Sequence, residues 1–451
     1  MTKRFSQRRI AGMCIGCVLL AGVCSTAPSR LRAESVELLT FASEWEFEES
    51  EFFPSRGYLG TSTCSCAGTV HTSEEGRQLD DLLVRGNPPA RWMDVALLEA
   101  DSTRSDANRF NVIWDDDGDP SGVLALVFFL VHPQFEVIAA TISPGEADPS
   151  LYAGRLALML ERLGVDIPVA YGPSVPAFGH HTFPSEWRDF VNGFFGLDLC
   201  NVFDCHAAPL TIIPTGRADL LIADLLEKQV CQANRLVLFA SGPLTNVYQA
   251  HLAWQSIAST QQIENLARTC LETEIMGGAI NVPGNLGEGV SPPPNHVAEW
   301  NIWIDPIAAE EVFHGPDIAY LTPLDVTNQV LWSMSDVAEL RSIGTCEADL
   351  AAALLQALIE SIGFSAVYAW DIDAAALAAI RLAEGGSVTI DGQTLNVACS
   401  EHSLYVATSG PNEGGMSFGT GPHKTRIYQI TPADAEMLKQ YVIRTFADAA
   451  P

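Results

Sequence analysis

From about residue 106 onward, the chain alternates short, continuously apolar runs with longer segments that carry helix signals. The apolar runs have the length of strands, and their flanks are polar or rich in glycine and proline. They span residues 112–114, 135–142, 167–171, 235–241, 274–279 and 318–322. Strands that alternate with helices predict an α/β protein with a mostly parallel central sheet and helices on both faces.

Capping signals mark where the intervening helices begin and end. Residues 123–131 follow the first strand as a buried helix. The pair Asp148-Pro149 predicts a helix that runs to about residue 163, because proline is favoured at the first helical position. The pair Asp305-Pro306 opens another helix, which Gly315 closes.

The C-terminal part has a different pattern. Residues 388–397 predict a hairpin around Asp391-Gly392, a pair that suits both positions of a type I′ turn. The segment from Thr431 to Asp434 predicts a capping box for a final helix that reaches about residue 446.

The first 105 residues divide into two predicted parts. Residues 1–25 begin with basic side chains and continue into an apolar run that is shorter than the roughly 20 residues of a spanning helix. We therefore expect a signal peptide and a secreted or periplasmic protein without a stable membrane anchor. Residues 26–105 lack clear periodicity and form a predicted N-terminal extension of unknown role, ahead of the main domain of residues 106–451.

Composition narrows the range of partners. The chain carries 25 Lys and Arg against 55 Asp and Glu, a formal net charge of −30, which argues against a nucleic-acid partner. Hydrophobic residues make up 47% and charged residues 18%, as in a globular protein. Removal of the signal leaves an even number of cysteines, which suggests disulfides in an exported protein. Their pairing is not fixed by the sequence.

An acidic loop follows the first predicted strand, with the sequence Asp115-Asp116-Asp117-Gly118-Asp119. Ligands of parallel sheets bind at the carboxyl ends of strands. Four carboxylates within five residues repel one another unless a cation lies between them, and Ca²⁺ prefers such oxygen ligands. A solvated acidic turn is the alternative that the loop alone leaves open.

Five segments in order across residues 106–445 resemble inosine/uridine-preferring nucleoside hydrolases. The first contains the acidic loop and reads NVIWDDD in residues 111–117. The others are residues 240–246 (ASGPLTN), 275–285 (IMGGAINVPGN), 298–306 (AEWNIWIDP) and 323–327 (PLDVT). The resemblance identifies the chain as a divergent, exported member of this superfamily, with a Rossmann-related fold.

The resemblance also implies an activity and a site. The expected reaction is hydrolysis of the N-glycosidic bond of a small-molecule ribonucleoside or related N-riboside to free base and ribose. Asp117 would be the general base acting on calcium-bound water. The implied metal ligands are Asp115, Asp117, the carbonyl of Ser241, and Asp371. The implied substrate-binding residues are Ser121, Met276, Asn285, Glu299, Asn301 and Trp370.

The chain departs from the family pattern at several of these positions. Ser121 and Gly122 stand where the family has two adjacent aspartates, so we expect a weakened calcium site. Three further carboxylates could compensate, namely Asp116, Asp119 and Glu146. Trp370 replaces a histidine that protonates the leaving base in some members, and it could instead stack on the base.

Several alternatives stay open. The chain could be an inactive or binding-only relative that has lost its metal ligands, or a hydrolase of a different N-ribosylated compound. A third alternative is a surface or structural module whose function lies in residues 26–105. The aromatic segment of residues 176–197 could be a lid, and its pair His180-His181 is of a kind that more often serves a surface or structural role than ligates a metal. The sequence is compatible with a homo-oligomer and does not decide it.

Overall fold

The computed structural model describes residues 109–192, 212–229, 235–259, 263, 270–288, 292–315 and 317–449. The predicted signal peptide and the predicted N-terminal extension lie outside these residues. Among the described helices, none combines the length and the apolar character that a membrane crossing needs.

Strands of the described residues form one large sheet and two small ones. In chain order they are β1 (Phe110–Asp116), β2 (Phe135–Ile142), β3 (Val169–Tyr171), β4 (Thr215–Gly216), β5 (Arg235–Ala240), β6 (Leu271–Met276), β7 (Ile318–Thr322), β8 (Trp332–Ser333), β9 (Ala366–Val367), β10 (Ser387–Ile390), β11 (Gln393–Asn396), β12 (Ala398–Val406), β13 (Met416–Gly419) and β14 (Thr425–Gln429). The large sheet has the order β13-β12-β14-β7-β6-β5-β1-β2-β3-β4.

Helices connect and cover these strands. They include α1 (Pro120–Val131), α2 (Pro149–Arg162), α3 (Ala218–Gln229), α4 (Thr245–Ile257), α5 (Trp300–Ile304), α6 (Pro306–Phe313), α7 (Leu324–Thr327), α8 (Met334–Ile343), α9 (Cys346–Ile362), α10 (Trp370–Leu382) and α11 (Ala435–Asp448).

The pairing within the large sheet confirms the mostly parallel prediction. Every adjacent pair from β14 through β7, β6, β5, β1, β2 and β3 to β4 is parallel. Only β12 runs antiparallel to its neighbours β13 and β14. The sheet therefore has one edge at which the carboxyl ends of its parallel strands meet.

Strand β1 lies at the centre of this arrangement and is buried along its whole length. Because side chains alternate across a strand, Val112 and Trp114 enter one hydrophobic core while Ile113 enters the other. Helices α1, α2, α10 and α11 contribute to the first core, and helices α3, α4 and α6 contribute to the second. Helices thus cover both faces of the sheet, as the sequence predicts.

Local signals account for most element boundaries. Asp148 caps α2 by accepting from Ser150 N and Leu151 N. The hairpin turns where predicted, with left-handed φ values of 51° at Asp391 and 81° at Gly392. The prediction for β6 was shifted: the strand ends at Met276, and Gly278 adopts a φ of 80° two residues later.

The final helix corrects a second prediction. Its N-cap is Asp434, three residues after Thr431, the N-cap that the predicted capping box implies. Thr431 instead donates to the Asp434 carboxylate from both its backbone N (2.8 Å) and its hydroxyl (2.7 Å). The two residues therefore form a turn that leads into the helix.

The described cysteines include both oxidised and reduced residues. Cys270 is disulfide-bonded, which agrees with the expectation of disulfides. Cys399 on β12 is an exposed free thiol. An even number of cysteines therefore does not mean that all are paired.

A half-buried cation, Arg381, holds α10 against the sheet. Arg381 of α10 donates to the carboxylates of Glu272 and Glu274 on β6. Its Nε donates to the hydroxyl of Tyr428 at 2.8 Å, and its guanidinium lies 3.6 Å from the ring centroid of Tyr320. Glu274 is buried, and burial raises its pKa although Arg381 opposes that shift.

We expect Arg381→Met to lower the free energy of unfolding by about 3 kcal/mol, because the buried Glu274 would lose its cationic partner. Glu272 keeps its contact with Arg235. Arg444→Met is the matched control, since Arg444 pairs with the exposed Asp391 and should lose less than about 1 kcal/mol. Urea denaturation of both variants measures the difference, and equally small losses would contradict this account of α10.

Candidate active site

The acidic loop is fixed by the backbone at the carboxyl edge of the sheet. The carbonyl of Asp115 accepts from Ser241 N at 2.8 Å, beyond the end of β5. The carbonyl of Asp116 accepts from Ser143 N at 2.7 Å, beyond the end of β2. The loop therefore lies between the carboxyl ends of β5 and β2, the two strands that flank β1. The sequence predicts a position at this edge of the sheet.

Asp115 makes hydrogen bonds within this edge. Its Oδ1 accepts from Thr141 Oγ1 at 2.6 Å and from Asn246 Nδ2 at 2.8 Å. Its Oδ2 is buried and has no hydrogen-bond partner among the residues that the structure describes. Burial raises the pKa of Asp115 to about 7, although both donors favour the ionised form. One oxygen of this carboxylate is thus fixed by two donors, whereas the other meets no donor from the described part of the chain.

Asp116 points across the first turn of α1. Its Oδ1 accepts from Gly118 N at 2.8 Å, and its Oδ2 accepts from Ser241 Oγ at 2.7 Å. Burial raises its pKa to about 8, and the nearby Asp119 adds to the shift. A Cβ at Gly122 would lie 1.8 Å from Asp116 Oδ2. The Asp116 carboxylate therefore occupies the space that a side chain at position 122 would need.

Asp117 fits into a niche made by two glycines. A Cβ at Gly145 would lie 1.9 Å from Asp117 Oδ2, and a Cβ at Gly242 would lie 2.9 Å from Asp117 Cβ. Asp117 Oδ2 accepts from Glu146 N at 3.1 Å. Burial raises the pKa of Asp117 well above its usual range, and the carboxylate of Asp116 raises it further.

The fourth member of the sequence-predicted metal set, Asp371, reaches this edge from the first turn of α10. Its Oδ2 accepts from Ser121 Oγ, in the first turn of α1, at 2.8 Å. Asp119 caps α1 by accepting from Ser121 N. Burial raises the pKa of Asp371 well above its usual range, and the charges of Asp119 and Asp116 raise it further. Two helix N-termini, which favour negative charge, therefore meet at the acidic loop.

Glu146 extends the acidic cluster from the loop after β2. Its side chain is half-buried, and desolvation raises its pKa well above the usual range. The charges of Asp119 and Asp117 raise it further, so the three carboxylates interact. The acidic cluster is defined here as Asp115, Asp116, Asp117, Asp119, Glu146 and Asp371.

The donor chemistry of the acidic cluster fits a hard divalent cation. All its side-chain ligand atoms are oxygens, as Ca²⁺ prefers, and within the described ranges no donor pairs with the buried Asp115 Oδ2. The carboxylate oxygens of the acidic cluster are spaced more widely than ligands that surround one metal ion. Within the described residues, the one group of three side chains whose ligand atoms all lie within 4.8 Å of one another is His180, His181 and Glu413. The carboxylates share one edge of the sheet, but their oxygens are not gathered around one point.

The polar residues assigned to substrate lie around the first turn of α5. Asn301 Nδ2 donates to the carbonyl of Ser241 at 2.9 Å and to the carbonyl of Met276 at 3.3 Å. Glu299 caps α5 by accepting from Asn301 N and also accepts from Gly278 N at 2.8 Å. Its charge raises the pKa of Asp117, which places Glu299 near the acidic cluster.

Asn285 and Trp370 are also held by hydrogen bonds. Asn285 Oδ1 accepts from Trp300 N at 3.1 Å, which joins the loop after β6 to α5. Trp370 precedes Asp371 on α10, and its Nε1 donates to Asn328 Oδ1 at 2.9 Å. The indole is half-buried. Its N–H is therefore engaged with Asn328.

Sequence reasoning missed several residues that shape this edge. Thr141 and Asn246 orient Asp115, and Asn328 orients Trp370. Asn246 lies in a quoted motif, but its partner is 131 residues away in the chain, so the motif alone carried no sign of the contact. The glycines around Asp116 and Asp117 were a signal that the sequence analysis did not use, because a residue without a side chain allows close approach of other groups.

The fold and the site define a class of protein: an α/β enzyme with an acidic ligand site at the carboxyl edge of a parallel sheet. The family model of the inosine-uridine preferring nucleoside hydrolases matches residues 112–440. This chain therefore belongs to the inosine-uridine preferring nucleoside hydrolase family, whose members are glycosyl hydrolases. The family predicted from the sequence is confirmed.

Individual relatives agree with this assignment. The pyrimidine-specific ribonucleoside hydrolase RihA of Escherichia coli O81 (strain ED1a) is 30% identical over 252 residues, which cover 55% of this chain and 71% of that protein. Among solved structures, a plant nucleoside hydrolase (PpNRh1) is similar with a TM-score of 0.57 and 21% identity, over 76% of this chain and 100% of that chain. A purine-preferring ribonucleoside hydrolase from Gardnerella vaginalis is similar with a TM-score of 0.58 and 18% identity, over 76% of this chain and 99% of that chain. The structural likenesses support the fold.

We expect Gly122→Ala to destabilise the protein by about 1–3 kcal/mol, because the new methyl group would displace the Asp116 carboxylate. Gly154→Ala in α2 is the control: its Cβ would meet nothing within 4 Å, so it should be neutral or stabilise by up to about 1 kcal/mol. In an Asp116→Ala background the cost of Gly122→Ala should disappear. Denaturant unfolding of the four proteins of this cycle measures the coupling, and an unchanged cost in the Asp116→Ala background would refute the overlap.

Proposed function

We propose that this protein hydrolyses the N-glycosidic bond of ribonucleosides or related N-ribosides, with Asp117 as the general base. The observation that carries the proposal is the hydrogen bond between Ser121 and Asp371, in a chain of this family. It brings carboxylates from residues 115–119 and from α10 to one edge of the sheet. The net charge of −30 also favours a small-molecule substrate over a nucleic acid.

In the proposed reaction, a water oxygen attacks C1′ of the ribose while its proton passes to an oxygen of Asp117. The bond from C1′ to the base nitrogen breaks, and its electron pair leaves with the base. Asp117 is suited to this role because Glu146 N and two glycines hold its carboxylate in one position. The neighbouring carboxylates favour the positive charge that develops on the ribose.

We propose that Asp115, Asp117, Asp371 and the carbonyl of Ser241 hold a calcium ion. When bound, the ion would lower the pKa of the attacking water and hold the ribose hydroxyls. The family aspartates at positions 121 and 122 are absent, and Asp116 brings a carboxylate into the space beside Gly122. Asp116 is therefore the candidate to replace the missing charge, with Asp119 and Glu146 as further candidates.

Ser121 takes a different role in this proposal from the aspartate that it replaces. Its hydroxyl donates to Asp371 and so helps to orient that carboxylate. Asn285, Glu299 and Asn301, with the strand end at Met276, would line the ribose side of the pocket. Their mutual hydrogen bonds keep this wall in a fixed shape before the substrate binds.

Trp370 suits recognition of the base by stacking. An indole N–H is not a useful acid, and this one already donates to Asn328. The ring is half-buried beside Asp371 and offers an aromatic surface to a planar base. Protonation of the leaving base would then come from another group or from water.

We expect Asp117→Asn to lower kcat by about a hundredfold or more, because the amide cannot accept the proton of the attacking water. The measurement is ribose release from a panel of purine and pyrimidine ribonucleosides, with calcium and again after treatment with a chelator. Wild-type activity should require calcium.

Asp224→Asn is the matched control for this experiment. It makes the same chemical change at an exposed residue that pairs with Lys228, and it should keep full activity. Ribonucleoside binding by the wild-type protein without ribose release would favour a binding-only relative and contradict the proposal. An absence of any interaction with ribosyl compounds would point instead to a function in residues 26–105.

A further inference from the structure

A second cluster of ligating side chains lies apart from the acidic cluster, at the end of α5. His180 Nε2 lies 3.5 Å from Glu413 Oε1, and His181 Nε2 lies 3.3 Å from Glu413 Oε2. All three ligand atoms lie within 4.8 Å of one another. From the sequence, His180-His181 is an adjacent pair with no recognisable ligand spacing, and Glu413 is 232 residues beyond His181. The fold brings them together.

Hydrogen bonding does not account for this arrangement. Among the described residues, neither His181 Nε2 nor Glu413 Oε1 has a hydrogen-bond partner, although both atoms are buried and the side chains lie at ion-pair distance. Buried polar atoms are normally paired, and leaving one unpaired costs free energy. A cation between the nitrogens and the carboxylate would satisfy both of these atoms.

The separations match those around a tetrahedral metal ion. With metal–ligand bonds of about 2.1 Å, two ligands of a tetrahedral zinc ion lie about 3.4 Å apart. The separations of 3.5 Å from His180 Nε2 to Glu413 Oε1 and 3.3 Å from His181 Nε2 to Glu413 Oε2 are close to that value, and all three ligand atoms lie within 4.8 Å of one another. Two imidazoles and one carboxylate form a set that suits Zn²⁺ and neighbouring transition metals, whereas calcium prefers oxygen ligands alone.

Both sides of the cluster are held in place by packing. The His181 ring stacks on Trp303 with centroids 3.9 Å apart and an interplanar angle of 12°. A Cβ at Gly179 would lie 2.2 Å from the Ile304 carbonyl, so the backbone before the histidines lies against the end of α5. On the other side, Asn295 Nδ2 donates to the carbonyl of Glu413 at 2.9 Å. The His181 ring and the backbone at Glu413 are thus held in place by the protein itself.

We propose that His180, His181 and Glu413 form a zinc site that fastens residues 178–183 to the β12–β13 loop across α5. His180 is 69% exposed, so solvent can supply the fourth ligand. Because α5 carries Asn301 and is capped by Glu299, the bound metal stabilises the wall next to the acidic cluster. Zinc binding at this cluster does not require the proposed hydrolytic activity.

The test is titration of metal-free, full-length protein with Zn²⁺ in the presence of excess Ca²⁺, followed by calorimetry. Co²⁺ serves as a parallel spectroscopic probe, because its visible absorption reports tetrahedral coordination. We expect one zinc ion to bind and the melting temperature to rise. His180→Ala and Glu413→Gln should each weaken zinc binding by about tenfold or more, since each removes one ligand.

Two further variants make the result specific. His423→Ala removes an exposed histidine elsewhere on the surface and should leave zinc binding unchanged. Asp117→Asn should also leave it unchanged, because the acidic cluster is a separate site. His180→Ala and Glu413→Gln should melt like the wild type when no zinc is present, which separates ligand loss from misfolding. Zinc binding of equal strength in His180→Ala, Glu413→Gln and the wild type would overturn the proposal, as would loss of the zinc isotherm in Asp117→Asn.

Discussion

Mutual repulsion between buried carboxylates is the constraint around which the carboxyl edge of the sheet is organised. Burial raises the pKa of each member of the acidic cluster, and for Asp116, Asp117, Glu146 and Asp371 the neighbouring carboxylates raise it further. Such an arrangement costs stability unless hydrogen bonds and positive charge compensate for it. Hydrogen-bond donors from β2, from Ser241 beyond the end of β5 and from α4, together with the N-termini of α1 and α10, supply part of that compensation. A bound cation would supply the rest.

In the proposed site, the same edge compensates for the two aspartates that the family pattern has at positions 121 and 122. Ser121 no longer carries a charge, and its hydroxyl instead orients Asp371. Gly122 leaves a space that the carboxylate of Asp116 enters from the preceding strand. Negative charge is therefore redistributed within a single loop, because residues 116 and 122 approach each other where β1 passes into α1. The proposed calcium site depends on this exchange.

Much of the fold could be predicted because local signals and burial agree. Continuous apolar runs predicted both ends of β2 and of β7 correctly, and the Asp148-Pro149 pair predicted the first residue of α2. One prediction failed because two local arrangements compete: Thr431 bonds to Asp434, three residues later, instead of capping α11. At the site, the family resemblance predicted Asp117 and Asp371. It did not predict the hydrogen bond from the Ser121 hydroxyl to Asp371, which joins α1 to α10 across 250 residues of sequence. Nothing local distinguishes His180-His181 from a surface pair, since its partner Glu413 comes from a distant loop.

The central claim is that carboxylates from the β1–α1 loop and from the first turn of α10 serve one divalent cation. A crystal structure of the protein grown with saturating calcium tests this claim most directly. We expect a single calcium ion in contact with both Asp117 and Asp371, with the carbonyl of Ser241 among its ligands. Calcium bound to only one of these two carboxylates, or an ion-free cluster at saturating calcium, would contradict the account.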